Sequence, residues 1–428
     1  MAKKYLKMNV YEAANARVEY LFKEFDNVFV AFSGGKDSAV CLNICYDYAA
    51  EHGCLDRLAF YHLDYEAQYQ ATTDFVTETF ARFSDIKRKW WVCLPVGASC
   101  CCNMEGGTWV PWERAKKDLW VRKMPGYDYV VNEDNCPWSY YVGEKDYDVQ
   151  DRIGEWFERE YGKTALVIGV RTDESMNRFR AVASERTEKY KGKIWINSNG
   201  VAKAYPIYDW QVGDIWRYNS KFNKPYNRLY DLYFMAGLKP GEMRVASPFH
   251  DCGQATLHLY KVIDPNNWGR MVGRVNGVNF TGLYGGTTAM GWKNITKPKH
   301  FTWKEYCQFL LNTLPPKAKA HYTERLEKSM KVWRTQGGAL DDTTITELRA
   351  EGAEFRELPP GKRSTKRVIA VDDYFDDTSV TDFKSIPTYK RMCICIMKND
   401  WFCKYMGFAP TTKEIERRKA ALEKYKNL

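Results

Sequence analysis

The segment Val28–Cys45, VFVAFSGGKDSAVCLNIC, constrains this chain more than any other stretch. An apolar run that reads as a buried strand breaks into SGGKDS, residues 33–38, and an apolar-periodic run that reads as a helix follows. Gly34 and Gly35 let the backbone turn sharply and approach a ligand closely, which a Cβ would obstruct. The next amides point outward at a helix N-terminus, where the helix dipole favours negative charge. Ser33 and Ser38 add hydroxyls and Lys36 adds a point charge, so the hexapeptide reads as a phosphate cradle. Its spacing is neither GxxxxGK[ST] nor the dinucleotide GxGxxG. Asp37 would repel a phosphate unless a cation intervenes, which points to Mg²⁺ shared between Asp37 and phosphate oxygens.

The surrounding pattern sets the fold class. Strand-like runs at Asn27–Phe32, Arg57–Leu63, Lys89–Pro95 and Thr164–Val170 alternate with helical patterns at Asp37–Ala50, Gln68–Phe83 and Arg152–Tyr161. Such alternation predicts an α/β fold, a doubly wound parallel sheet over residues 1–245, with ligands beyond the carboxyl ends of the strands. Residues 97–149 form an aromatic-rich insertion too long for a simple connection. Residues 246–339 read as a separate C-terminal region, α/β or mostly helical. Within it, Gly285–Trp292 suggests a tight turn or a second anion-binding nest. Residues 340–428 read as a polar linker, a short cysteine-containing strand at MCICIM and a terminal helix beginning near Thr411.

Further candidates lie at strand ends. Asp64 and Glu66, in HLDYEAQY after the second strand, suit ribose hydroxyls or a metal. Arg171 and Arg178, in GVRTDESMNRFR, suit bidentate binding of phosphate or sulfate, with Glu174 to orient one of them and Asp173 and Arg180 nearby. Trp109, Trp112 and Trp120 interleave with Lys116, Lys117 and Arg122, as a groove for nucleotide bases or nucleic acid requires. Cys100–Cys102 and the group Cys393, Cys395 and Cys403 raise zinc or an iron–sulfur cluster, but neither has paired CxxC spacing, so buried thiols are the default.

SGGKDS at the end of the first strand resembles the pyrophosphate loop (PP-loop) of the adenine nucleotide α-hydrolase superfamily. HLDYEAQY, GVRTDESMNRFR and YPIYDWQVGDIWRY, Tyr205 to Tyr218, are similar to the matching stretches of its phosphoadenosine phosphosulfate (PAPS) reductase-like family. Over the whole chain the resemblance runs to a bacterial and phage group typified by immunoglobulin-binding regulator A, the IbrA-like group. The resemblance implies ATP or PAPS as ligand, with Ser33, Gly34, Gly35, Lys36, Asp37, Ser38, Asp64, Arg171 and Arg178 in binding. It implies Lys36, Asp37, Arg171 and Glu174 in catalysis. PAPS reductases carry a nucleophilic cysteine in Glu-Cys-Gly-x-His; the nearest match here is Asp251-Cys252-Gly253-Gln254-Ala255, without the histidine and well inside the chain.

Three readings follow. An ATP-consuming enzyme would break the bond between the α and β phosphates and adenylate an acceptor, nucleic acid among the candidates. A sulfonucleotide reductase would use Cys252. A non-catalytic regulator would bind nucleotide and a partner protein or DNA. The net charge of +10 favours anionic partners. MAKKYLKMNV is too polar for a secretory signal and no apolar run approaches membrane-spanning length, so the expectation is a cytoplasmic protein whose 13 cysteines are mostly reduced.

Overall fold

The computed structural model describes residues 7–103, 107–174, 178–179, 182, 193–197, 200–245, 247–285, 295–359, 367–398 and 400–406, with the backbone alone at 251, 252, 384 and 404. Its centre is a seven-stranded sheet in the order β6-β3-β2-β1-β7-β9-β8. The strands are β1 (Asn27–Ala31), β2 (Leu58–Leu63), β3 (Arg88–Val92), β6 (Val130–Val131), β7 (Thr164–Ile168), β8 (Ile196–Asn197) and β9 (Ala202–Ala204). All pairings are parallel except β8 with β9. The short strands β4 (Ala98–Ser99) and β5 (Thr108–Trp109) form a separate antiparallel pair inside the insertion.

The middle strands are apolar on both faces, as NVFVA, LAFYHL and TALVI require, because helices cover both sides. Val28 and Val30 face helices α1 (Val10–Glu24), α2 (Lys36–Glu51) and α3 (Gln70–Arg82), packing with Val18, Leu42 and Phe75. Phe29, Tyr61 and Leu166 face α4 (Asp146–Tyr161) through Ile153, Trp156 and Phe157. This is the doubly wound α/β fold expected from the strand–helix alternation.

The later part of the chain packs around other cores. Cys100, Cys102 and Trp109 of the insertion share a core with Phe249, Tyr260, Met271 and Val278. Residues 340–382, read as a polar linker, instead hold an antiparallel sheet of β10 (Gly338–Leu340), β11 (Arg356–Leu358) and β12 (Arg367–Ala370), with helix Asp342–Ala350. Leu340, Ile345, Leu348 and Ile369 are enough apolar residues to close a small core there. The expected strand at MCICIM is also corrected: Tyr389–Met397 is a helix whose N-cap Thr388 accepts from the Arg391 amide. Its buried Tyr389, Met392, Cys393 and Ile396 follow helical spacing, and that period outweighs the local alternation. The proposed terminal helix from Thr411 lies outside the described residues, and so does the Gly285–Trp292 nest beyond Gly285. No helix among the described residues is long and apolar enough to cross a membrane.

Candidate functional site

From β1 the chain winds outward through β2, β3 and β6, then returns to β7 on the other side. The direction of winding therefore reverses between β1 and β7. Their carboxyl ends lie level, Ala31 opposite Ile168, so the loop leaving β1 meets the loop leaving β7. Crevices of this kind are where open α/β sheets bind ligands. Gly169 allows the two loops to touch: a Cβ there would lie 2.8 Å from the carbonyl carbon of Asp37 and from the Ser38 amide nitrogen.

The hexapeptide is held by its own hydroxyls. Ser33 and Ser38 lie 3.0 Å apart through their Oγ atoms, and Ser38 Oγ also accepts from the Ser33 amide and donates to Gly35 O. Gly34 turns with φ +78°, and its missing Cβ leaves room for Thr72 and Val76 of α3. Asn227 fastens the turn from outside, donating from Nδ2 to Gly34 O at 3.0 Å. α2 then begins at Lys36, behind an N-cap residue, Gly35, that has no side chain to cap the first amides. One of those amides, that of Lys36, donates to the Tyr230 hydroxyl at 3.0 Å. The Lys36 ammonium lies 5.3 Å from the Tyr230 ring centroid. Burial and the nearby Asp37 carboxylate raise the pKa of the Tyr230 phenol, so it stays protonated and keeps its own O–H to donate.

Around the loop lies a compact set of charges. Arg171 is 3% exposed and donates from Nε to Asp37 at 2.5 Å, from Nη1 to Asp173 at 2.6 Å and from Nη2 to Glu174 at 3.3 Å. Lys36 Nζ reaches the other Asp37 oxygen at 2.8 Å, and Arg178 pairs with Glu174. The structure thus brings Lys36, Asp37, Arg171, Glu174 and Arg178 together at the β1–β7 crevice. Three cations here balance the carboxylates of Asp37, Asp173 and Glu174. Arg180 lies outside the described residues.

Asp64 sits elsewhere. It is fully buried at the end of β2, accepting from the Trp91 indole at 2.6 Å and paired with Arg122. Burial alone would raise its pKa, but Arg122, His62 and Trp91 together hold it below the usual carboxylate value. Glu66, with φ 61°, is equally buried and binds Arg274 through both oxygens, at 2.9 and 3.1 Å. The same carboxylate accepts from the amides of Trp112 and Val121. It ties the insertion to helix Pro265–Arg274. Trp109 and Trp112 are core residues, whereas Trp120 is half-buried.

The thiols of Cys100, Cys101 and Cys102 are buried, as are those of Cys393, Cys395 and Cys403. Among the described residues no group of three or more Cys, His, Asp or Glu has the arrangement of a metal site. The Cys252 side chain lies outside the described residues. Sequence reasoning passed over Tyr230 and Asn227, because a tyrosine and an asparagine in KPYNRLYDLYF carry no motif; only the fold brings them to the loop.

Residues 131–236 match the phosphoadenosine phosphosulfate reductase domain, and residues 237–417 match a domain of unknown function, DUF3440. The chain is 30% identical to the uncharacterized protein YbdN of Escherichia coli (strain K12) over 420 residues, covering 96% of this chain and 94% of that protein. Among solved structures, it is similar to Candida glabrata FMN adenylyltransferase, with 14% identity and a TM-score of 0.30, covering 53% of this chain and 62% of that one. It is also similar to phosphoadenylyl-sulfate reductase of Candida auris, with 15% identity and a TM-score of 0.29, covering 54% and 94%.

Proposed function

The chain belongs to the family of the Escherichia coli protein YbdN, and we propose that it is a PP-loop enzyme that binds an adenine nucleotide and cleaves ATP between the α and β phosphates. The carrying observation is the meeting of residues 33–38 with Arg171 at the β1–β7 reversal of the sheet. Placement in the IbrA-like group and a cytoplasmic location are parts of the same proposal.

In this reading the β and γ phosphates lie on the first amides of α2, with Lys36 and Arg171 countering their charge. The Tyr230 hydroxyl accepts from the Lys36 amide and donates its proton to a phosphate oxygen. An acceptor oxygen attacks the α phosphorus, a new P–O bond forms, and the bond to the bridging oxygen breaks, releasing pyrophosphate. Lys36, Arg171 and Tyr230 stabilise the charge that builds on that leaving group. Glu174 and Asp173 hold the Arg171 fork in place, and Asp64 serves as a ribose contact only if Arg122 yields. A protein-only Mg²⁺ cage is absent among the described residues. A single carboxylate plus phosphate oxygens is an ordinary donor set for hydrated Mg²⁺, and Asp37 would supply that carboxylate once Lys36 and Arg171, which hold both its oxygens, turn to the phosphates. Bound there, the ion would neutralise phosphate charge.

Incubation with α-labelled ATP and Mg²⁺ tests the reading, with candidate acceptors added in turn. AMP or an adenylated acceptor plus pyrophosphate is expected; ADP and phosphate as the sole products would contradict it. The match of residues 131–236 to the PAPS reductase domain supports a second reading, thiol-dependent reduction of PAPS. Release of sulfite from PAPS and a dithiol, lost in Cys252→Ser, would favour that alternative.

A further inference from the structure

A cavity of about 790 Å³ lies away from residues 33–38, on the insertion side of Asp64. Its size falls in the range of small-molecule sites, and nothing in the loop chemistry uses it. Its floor is Cys93, Trp112 and Arg122; Lys117 and Lys123 stand exposed at its rim, and helix Pro265–Arg274 adds Arg270. We propose that this cavity binds one nucleoside-phosphate unit.

Arg122, Lys117, Lys123 and Arg270 make the polar half of the lining. The Arg122 side chain is 10% exposed, Asp64 takes one Nη, and its buried Nε has no hydrogen-bond partner. That Nε has no surface open to the cavity, so Arg122 meets a ligand only through the small exposed part of its side chain. Around it the charge is positive. Arg114 is shared by Glu133 and Asp134, so one of those carboxylates and Asp118 stand against Lys117, Lys123 and Arg270, leaving an excess of one positive charge. The aromatic half is Trp120, half-buried on the lining and edge-to-face with Trp112 at 5.1 Å. A base stacked on such a ring gains about 1–3 kcal/mol. The wall is also fixed in advance. Glu66 holds the backbone amides of Trp112 and Val121, and Arg270 donates to Val121 O at 3.1 Å, so little ordering remains to be done on binding. Phosphate-seeking cations around a preset aromatic wall match a nucleotide better than a bare anion or an apolar ligand.

Such a unit comes either as a free nucleotide or as one residue of a single strand. Under the adenylation reading the second source would be the acceptor, and that clause alone rests on that reading. Pyrimidine probes separate the two sites, because the loop is proposed to take adenine nucleotides. The full-length protein is titrated with uridine monophosphate and with octathymidylate at 50 mM salt. Binding of either probe is expected, and preference for one identifies the source. Lys117→Glu with Lys123→Glu should weaken binding at least tenfold, and for the oligonucleotide should lower the salt slope by about two. Arg270→Ala should weaken it several-fold. Lys36→Ala should leave pyrimidine binding unchanged while weakening ATP binding, so failure of the loop reading is distinguishable from failure of this one. Absence of binding by both probes, or affinities within twofold after the double charge reversal, would overturn the proposal.

Discussion

Replacing Gly169 by alanine puts the closeness of the two loops to the test. A Cβ at this position would stand 2.8 Å from Asp37 C and Ser38 N and 3.0 Å from Asp37 O. All three are backbone atoms at the start of α2, so no side chain can swing aside. Reaching ordinary contact requires a retreat of about 0.6 Å by one loop or the other. Gly169 is not among the glycines with positive φ, so alanine adds no backbone strain and the effect is steric. Overpacking of this kind costs typically about 1–3 kcal/mol. In a chain of 428 residues unfolding as one unit, each kcal/mol lowers Tm by roughly 1 °C. Displacement of the phosphate-facing amides by a fraction of an ångström should also weaken nucleotide binding about tenfold or more. Gly213→Ala is the control, since a Cβ there meets nothing within 4 Å. The assay is thermal unfolding together with calorimetric titration of ATP and Mg²⁺. If Gly169→Ala melts and binds like the parent, the loops do not touch as described.

Other consequences can be checked separately. Tyr230→Phe removes the acceptor for the Lys36 amide and the proposed phosphate donor, so ATP affinity should fall about five- to tenfold, equivalent to roughly 1–1.4 kcal/mol; tighter binding would mean that the hydroxyl merely blocks the loop. Arg274→Met leaves Glu66 buried without its cation and should cost about 3–5 kcal/mol in urea unfolding, while adding Glu66→Gln should recover part of the loss. Burial lowers the pKa of His62 beneath 6.5, where an exposed histidine titrates. The unfolded chain therefore binds a proton that the folded chain refuses, and stability should decline as pH drops below about 6.5, by at most about 1.4 kcal/mol per pH unit from this group. An NMR titration placing the His62 midpoint at or above 6.5 would reverse that sign.

The sheet was legible because its central strands are short, largely apolar and separated by helical periods, so local pattern and tertiary burial agree. The place of the glycine loop between β1 and α2 was legible for the same reason, since the apolar strand stops and the helical period starts on either side of it. The surroundings of Asp64 were harder to read. A carboxylate at a strand end looks like a ligand from sequence, and nothing local reveals that Trp91 and Arg122 will enclose it, since Arg122 comes from 58 residues away. Tyr230 reaches Lys36 across 194 residues and was invisible for the same cause. At Tyr389–Met397 the failure was one of period, because cysteine and isoleucine alternate over a span too short to separate strand from helix. Residues 340–382 misled by composition: a small sheet with exposed outer faces needs few apolar residues, and the charged remainder masks them.

Calorimetric titration of the wild-type protein and of Lys36→Ala with a non-hydrolysable ATP analogue and Mg²⁺ probes the heart of the matter. Saturable one-to-one uptake by the parent, weakened at least tenfold by loss of the ammonium group, is the expected result. No measurable heat with any adenine nucleotide, or equal affinity in the two proteins, would contradict a phosphate-binding role for residues 33–38.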